Sequence, residues 1–263
     1  MGVLEAVVLG VVQGLTEFLP VSSSGHLVLA RQLLPYEISR PMAFDIMLHF
    51  GTLVSVLWYF RRDLAEMVTG LAGGPEAAGS RKTVVMLGLA TLPVAAVGGF
   101  FSDALEATFS SPVAVGVALL GTALLLFWGA RSPVGNRATA QLGPFDALVI
   151  GFFQAAALMP GISRAGATIS SGLRRGLERE AAARFAFLLS VPAIAGAILK
   201  KSSDLSSLVE SDATAVGLGT LAAALTGWVA IDLMMRTVRG GRLLPFAVYC
   251  LVAGSVTLLT GVL

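Results

Sequence analysis

The stretch GLTEFLPVSSSGH, residues 14–26, interrupts the first apolar segment of the chain with polar groups. It carries one carboxylate, four hydroxyls and one imidazole. One continuous membrane-spanning helix does not tolerate that density of polar groups, because unpaired and ionisable groups are costly in hydrocarbon. A re-entrant pair of half-helices, with the polar residues in the turn between them, accommodates the stretch.

The rest of the composition places the chain in a membrane. Hydrophobic residues make up 56% of the 263 positions and charged residues only 13%. Residues 83–101, 107–130, 213–231 and 243–263 lack any Asp, Glu, Lys or Arg, and each is about long enough to cross the ~30 Å hydrocarbon core as a helix. The sequence therefore predicts an all-α polytopic membrane protein, and a net charge of +2 gives no reason to expect a nucleic-acid partner.

Basic residues cluster in three of the connections between the predicted spans, which indicates that these connections are cytoplasmic. The remaining connections, and both the C-terminus and the segment before residue 43, are then external. The basic residues are Arg61, Arg62, Arg81, Lys82, Arg131, Arg137, Arg236, Arg239 and Arg242. The six predicted spans are residues 43–61, 82–101, 112–130, 181–199, 213–235 and 244–262.

The opening stretch has a counterpart in the second half of the chain. LGVVQGLTEFLPVSSSGH (9–26) and IGFFQAAALMPGISRAGAT (150–168) share the order Gly, Gln, Pro, Ser, Gly. Each is followed by three spans, so the second half enters the membrane upside down, as in inverted-topology repeats. The predicted units of the single membrane domain 1–263 are a first repeat 1–137 with re-entrant pair 3–34 and a second repeat 138–263 with re-entrant pair 144–176.

The first break carries groups that a purely structural turn does not need. Gln13 and Glu17 share one helix face at i, i+4 spacing, and Pro20 ends that helix. Serines after the break can cap free N–H groups. Capping does not explain Glu17 or His26, since ionisable groups inside a membrane are usually functional.

The second break supplies a positive charge. Arg164 lies between Pro160-Gly161 and Gly166, where it either pairs structurally with Glu17 or presents its planar fork to phosphate oxygens. Hydroxyls at Ser163 and Thr168, together with the N-terminal ends of both outgoing half-helices, also favour an anion. These features together predict a site for a phosphorylated lipid head group.

With these motifs, the chain resembles the undecaprenyl-diphosphate phosphatase family, the membrane proteins linked to bacitracin resistance. GVVQGLTEFLPVSSSGHL (10–27) and PGISRAGATI (160–169) carry the resemblance. It implies hydrolysis of undecaprenyl diphosphate to the monophosphate and phosphate, which recycles the lipid carrier for cell-wall synthesis. It also implies the bacterial cytoplasmic membrane, a site open to the outer face, and a divalent cation, Mg²⁺ or Ca²⁺.

The resemblance also assigns roles to individual positions. Gln13 stands where many members have Glu, and Ala165 where they commonly have Ser, which puts the metal ligation in doubt. The implied catalytic residues are Glu17, Ser23, His26 and Arg164, the implied substrate-binding residues are Ser22, Ser24, Ser163, Gly166 and Thr168, and the implied metal ligands are Glu17 and Gln13.

Several alternatives stay open at the level of sequence. The attacking group is Ser23 with His26 as base at i, i+3 spacing, His26 itself, or a water that His26 activates. His49 lies near the site or is a satisfied membrane histidine, and Asp146 is predicted to cap a helix. A lipid-phosphate flippase or anion transporter is the rival function, because transporters share the predicted architecture. A homodimer is left open.

Overall fold

The computed structural model describes residues 2–33, 41–73, 77–101, 108, 111–200 and 202–261. The fold of this part of the chain is all-α, as predicted, with a single turn of 3₁₀ helix at Thr139–Gln141. The α-helices are α1 (Val3–Phe18), α2 (Ser23–Leu33), α3 (Pro41–Tyr59), α4 (Arg61–Leu71), α5 (Ala77–Phe100), α6 (Pro112–Ala130), α7 (Pro144–Ala156), α8 (Arg164–Arg174), α9 (Arg179–Lys200), α10 (Ser202–Arg239) and α11 (Leu244–Thr260).

Five helices among the described residues are long and apolar enough to cross a membrane. They lie within α3, α5, α6, α9 and α10, and they coincide with five of the predicted spans. The predicted span 244–262 corresponds to α11, which is apolar but has 17 residues. The polytopic membrane class is therefore confirmed, whereas the count of six spans stays a prediction.

The connection 62–81 between the first two predicted spans is mostly helical. It contains α4 and the first turns of α5. Leu64 and Met67 of α4 pack against the largest buried cluster of the protein, while Arg61 and Arg62 are exposed. A helix of 11 residues is marginal by itself. Packing of its apolar face stabilises it, which the Gly- and Pro-rich composition of the connection does not reveal.

Both predicted helix breaks are present. The first lies between α1 and α2, where Leu19 is extended ahead of Pro20, as expected for a residue before proline. The second lies between α7 and α8. The backbone N–H of Gly161 in the second break donates to the Ser22 hydroxyl in the first at 3.1 Å, although 139 residues separate them. The two turns therefore meet, as the repeat interpretation predicts.

The packing of helices in the two halves also follows the pattern of an inverted repeat. Helix α1 packs against α10, and its counterpart α7 packs against α5. The glycines at matching positions of the two motifs allow both approaches. A Cβ at Gly10 would lie 2.2 Å from the Gly219 carbonyl oxygen, and one at Gly151 would lie 2.4 Å from that of Ala90. Matching contacts support an inverted repeat, and its boundaries stay a prediction.

Candidate active site

A cavity of about 510 Å³ lies beside the two breaks and extends between α3, α5 and α9. Its polar side chains come from seven different helices and both turns, and most of them lie beside the breaks. The polar residues that line the cavity are Thr16, Glu17, Ser22, Ser23, Ser24, Asp45, His49, Thr91, Gln154, Ser163, Arg164 and Lys200.

Glu17 is the centre of the polar side chains beside the breaks. It lies in the last turn of α1 and is 7% exposed. Its Oε1 accepts a hydrogen bond from Arg164 Nη2 at 2.5 Å, and its Oε2 accepts bonds from Ser23 Oγ at 2.5 Å and Gln13 Nε2 at 3.1 Å. His49 Nε2 lies 3.5 Å from Oε2. One buried carboxylate thus joins residues of both breaks, and His49 belongs to the site.

Arg164 is held at the first position of α8. The preceding Ser163 caps the helix, since its hydroxyl accepts a bond from the Gly166 N–H at 3.0 Å. Besides Glu17, the guanidinium donates through Nη1 to the Ala186 carbonyl at 3.2 Å. Arginine carries five N–H donors. Two anchored donors fix the plane of the group while the side chain still lines the cavity.

Ser22 shapes the turn that presents the serines. Its φ of 72° places it in the left-handed region, which costs a residue other than glycine roughly 1 kcal/mol. The Ser22 hydroxyl accepts the Gly161 N–H at 3.1 Å and lies 3.3 Å from the Ser24 hydroxyl. These bonds across the two breaks stabilise the strained turn, which directs Ser23 toward Glu17.

His26 does not pair with Ser23, contrary to the expectation from their spacing. Its Nδ1 lies 2.7 Å from the Ser22 carbonyl oxygen, and its Nε2 lies 2.6 Å from the Tyr249 hydroxyl. Because a carbonyl only accepts, Nδ1 carries the proton and Nε2 accepts from Tyr249. The imidazole therefore supports the turn from the α11 side, and Ser23 has Glu17 as its acceptor.

Three other predicted residues lie beside the cavity wall. Thr168 is 1% exposed and donates to the Arg164 carbonyl at 2.8 Å. Gly166 gives its N–H to Ser163, and Gln13 is fully buried behind Glu17. They stabilise the first turn of α8 and the carboxylate. A direct contact with substrate stays a prediction for Thr168 and Gly166, and a contact with a metal ion stays one for Gln13.

Three residues that contribute to the site were not assigned from the sequence. Thr122 of α6 donates to the Gly161 carbonyl at 2.7 Å and accepts the Ser163 N–H at 2.9 Å. Tyr249 holds His26, as described above. Gln154 lines the cavity at 2% exposure, and neither atom of its amide has a hydrogen-bond partner among the described residues. Gln154 occupies the same position in the second motif as Gln13 does in the first, and this match could have identified it from the sequence.

Asp45 and Asp146 have different surroundings. Asp45 lines the cavity and pairs with Arg31 of α2. Asp146 lies elsewhere and is not the N-cap that was predicted. Gly143 is the cap of α7, and Asp146 in the third helical position accepts from its N–H at 3.0 Å. Arg137 and Arg175 also bond to Asp146, so its role is structural.

The predicted metal ligands do not by themselves fit a resident divalent cation. Mg²⁺ and Ca²⁺ bind about six or more oxygens, which include carboxylates with free lone pairs, carbonyls and waters. Glu17 already accepts bonds from Arg164, Ser23 and Gln13, and Gln13 turns its amide nitrogen toward it. Within the described ranges, no three His, Cys, Asp or Glu residues cluster so as to hold a metal ion.

The sequence is similar to known proteins over its whole length. The family described as "Bacitracin resistance protein BacA" matches residues 6–256. An "Undecaprenyl-diphosphatase" of Methanosphaera stadtmanae is 37% identical, over 100% of this chain and 99% of the relative. Proteins of the same description from Desulforapulum autotrophicum and Syntrophotalea carbinolica are each 41% identical, over 99% and 97% of both chains respectively.

Proposed function

Because the chain belongs to the bacitracin resistance protein BacA family, we propose that it is an undecaprenyl-diphosphatase. It hydrolyses undecaprenyl diphosphate to undecaprenyl phosphate and inorganic phosphate. The observation that carries this proposal is the buried Glu17 carboxylate, which bonds to Ser23 on one side and Arg164 on the other. Phosphoryl transfer depends mainly on positioning and charge neutralisation, and these three side chains supply a nucleophile, its proton acceptor and a phosphate ligand.

The substrate itself activates the carboxylate in this mechanism. The terminal phosphate competes with Glu17 for Arg164. It accepts the same bidentate hydrogen bonds as a carboxylate and carries more negative charge. Glu17 then loses its positive partner and accepts the Ser23 proton more readily. The serine oxygen bonds to the terminal phosphorus, and the bond from that phosphorus to the bridging oxygen breaks, so undecaprenyl phosphate leaves.

Hydrolysis of the phosphoserine completes the cycle. Water attacks the phosphorus, Ser23 recovers the proton held by Glu17, and inorganic phosphate leaves with the water oxygen. Of the three attacking groups considered above, this geometry favours Ser23, because both nitrogens of His26 already have partners. The experiment below distinguishes attack by Ser23 from attack by water.

The divalent cation belongs to the substrate in this proposal. Diphosphate oxygens bind Mg²⁺ or Ca²⁺ and supply the ligands that the protein lacks. Glu17 and Gln13 would be the residues of the chain nearest to such a cation and would affect its affinity. The chain's own residues orient the phosphate and move the proton.

The site faces the outer side of the cytoplasmic membrane in this proposal. Met42, Gly98 and Lys200 line the cavity at the ends of α3, α5 and α9 that the distribution of basic residues places outside. Enzyme in this position recycles the lipid carrier of peptidoglycan synthesis. The inverted repeat 1–137 and 138–263, with its two re-entrant pairs, six spans and a possible homodimer, completes the proposed architecture.

The test is phosphate release from a long-chain polyprenyl diphosphate by purified protein. Wild-type protein is expected to release phosphate, and Ser23→Ala to lose roughly a thousandfold or more in kcat. Ser80→Ala is the control, since its hydroxyl donates to the Glu66 carbonyl outside the cavity, and it should retain activity within about twofold. Comparable activity in Ser23→Ala and wild type would exclude Ser23 as the nucleophile and leave water or His26. Transfer of the lipid between leaflets without phosphate release would favour the transporter.

A further inference from the structure

The cavity continues from the phosphate site as a groove between α5 and α9. Its walls run over Thr91–Gly99 and Pro192–Lys200, which corresponds to about 12 Å along each helix. Each helix contains a proline near the inner end of its wall, Pro93 and Pro192. At the outer end, the Lys200 ammonium donates to the Gly98 carbonyl at 2.8 Å.

The groove is lined by glycines that do not serve helix packing. Around Gly99 and Gly196, no described atom lies within 4 Å of the position that a Cβ would take, and at Gly98 the nearest is Leu158 Cδ1 at 3.7 Å. Gly151 is the contrast, because a Cβ there would meet the backbone of α5. A glycine inside a helix costs about 1 kcal/mol relative to alanine. At these three positions the glycines keep space open instead of letting two helices touch.

The chemistry of the groove differs between its inner end and its walls. The inner end holds Arg164 and the serines of the two breaks. Between Thr91 at the inner end and Lys200 at the outer end the walls are apolar, and neither wall has an acidic side chain among its described residues. The apolar lining residues include Val94, Ala95, Leu158, Ala193, Ile194 and Ala197. A ligand that fits has an anionic head followed directly by an apolar chain.

We propose that this groove binds the first isoprene units of the polyprenyl chain, and that Gly98, Gly99 and Gly196 set its width. The inference rests on the proposed function, since it assigns the tail of the same substrate whose diphosphate lies at Glu17 and Arg164. A polyprenyl chain carries a methyl branch on every unit, so it needs a wider channel than a straight acyl chain. Glycine on both facing helices provides that width.

The test narrows the groove without touching the phosphate site. Gly99→Leu and Gly196→Leu should each lower kcat/KM for undecaprenyl diphosphate by about tenfold or more, because the added side chain would occupy the open space of the groove that the prenyl chain needs. Inorganic pyrophosphate, which has no chain, should inhibit these variants with an inhibition constant within about twofold of wild type. Gly88→Leu is the matched control, since Gly88 is also an open, exposed glycine of α5 but does not line the cavity.

Gly99→Ala and Gly196→Ala are the second pair of variants, in case leucine prevents folding. Alanine favours the helix, and each should lower kcat/KM for the long-chain substrate in the same direction by a smaller factor. The inference is overturned by unchanged kcat/KM in all four variants, or by equal weakening of the long-chain substrate and pyrophosphate. Absence of turnover in wild-type protein would instead reject the proposed function.

Discussion

Glu17 and Arg164 are joined by a 2.5 Å hydrogen bond across 147 residues of sequence. Their side chains are 6% and 15% exposed, and each supplies the charge that the other needs at a site surrounded by apolar helices. Removal of one partner of such a buried pair strongly destabilises the folded protein, because the other charge stays buried without a partner. When a diphosphate binds, it replaces Glu17 as the anionic partner of Arg164. The ion pair with Glu17 therefore keeps Arg164 in position to bind an anion.

Arg164→Lys is the first prediction. Lysine keeps the charge but loses the planar fork, so it cannot hold the Ala186 carbonyl and a phosphate in one plane. We expect a loss of about 3 kcal/mol of transition-state stabilisation, roughly a hundredfold in kcat/KM. Arg174→Lys is the control, because Arg174 lies on the same helix but bonds to the Trp128 carbonyl at the surface. Full activity of Arg164→Lys would show that the ion pair is only structural.

Tyr249→Phe tests the position assigned to His26. Removal of the phenol deprives His26 Nε2 of its donor, which loosens the turn that presents Ser23. We expect kcat to fall by about three- to tenfold with little change in KM. If His26 is instead the base toward Ser23, His26→Gln should abolish the alkaline plateau of the pH–rate profile. A positioning role leaves the shape of that profile unchanged and lowers its height.

Gln154→Leu tests the buried amide that has no partner among the described residues. Leucine has similar size without polar atoms, so removal of an unsatisfied amide should not destabilise the protein. If the amide turns toward the bound phosphate, kcat/KM should fall by about fivefold or more while the melting temperature is unchanged or raised. A lower melting temperature with normal kcat/KM would indicate a structural role for Gln154.

Gln13→Glu tests the link between the first motif and the divalent cation. A second carboxylate beside Glu17 would attract a hard cation more strongly than an amide does. We expect Gln13→Glu to lower the Mg²⁺ or Ca²⁺ concentration for half-maximal phosphate release, and Glu17→Gln to raise it or abolish activity. A metal titration of the three proteins provides the measurement. The same midpoint in wild type and Gln13→Glu would show that the cation does not contact this stretch.

The sequence by itself determined the membrane class, the positions of both helix breaks and the residue types of the site. These features depend on local rules. The length of an apolar run decides whether a helix can cross hydrocarbon. Pro20 and Pro160 lie in the breaks after α1 and α7, where proline disfavours the α region in the residue before it. The high cost of a buried charge also makes Glu17 and Arg164 candidate functional residues from the sequence alone.

Only the tertiary structure decided which of these groups meet. Ser23 and His26 are neighbours at i, i+3, yet Ser23 bonds to Glu17 and His26 to Tyr249. The rotation of α2 about its axis is fixed by packing against helices distant in sequence, and by the strained Ser22 turn that Gly161 stabilises. The sequence did not predict helix α4 or the groove between α5 and α9, because both depend on packing between distant segments. Spacing along a helix fixes which residues share a face, whereas the partner of that face is set by contacts between distant segments.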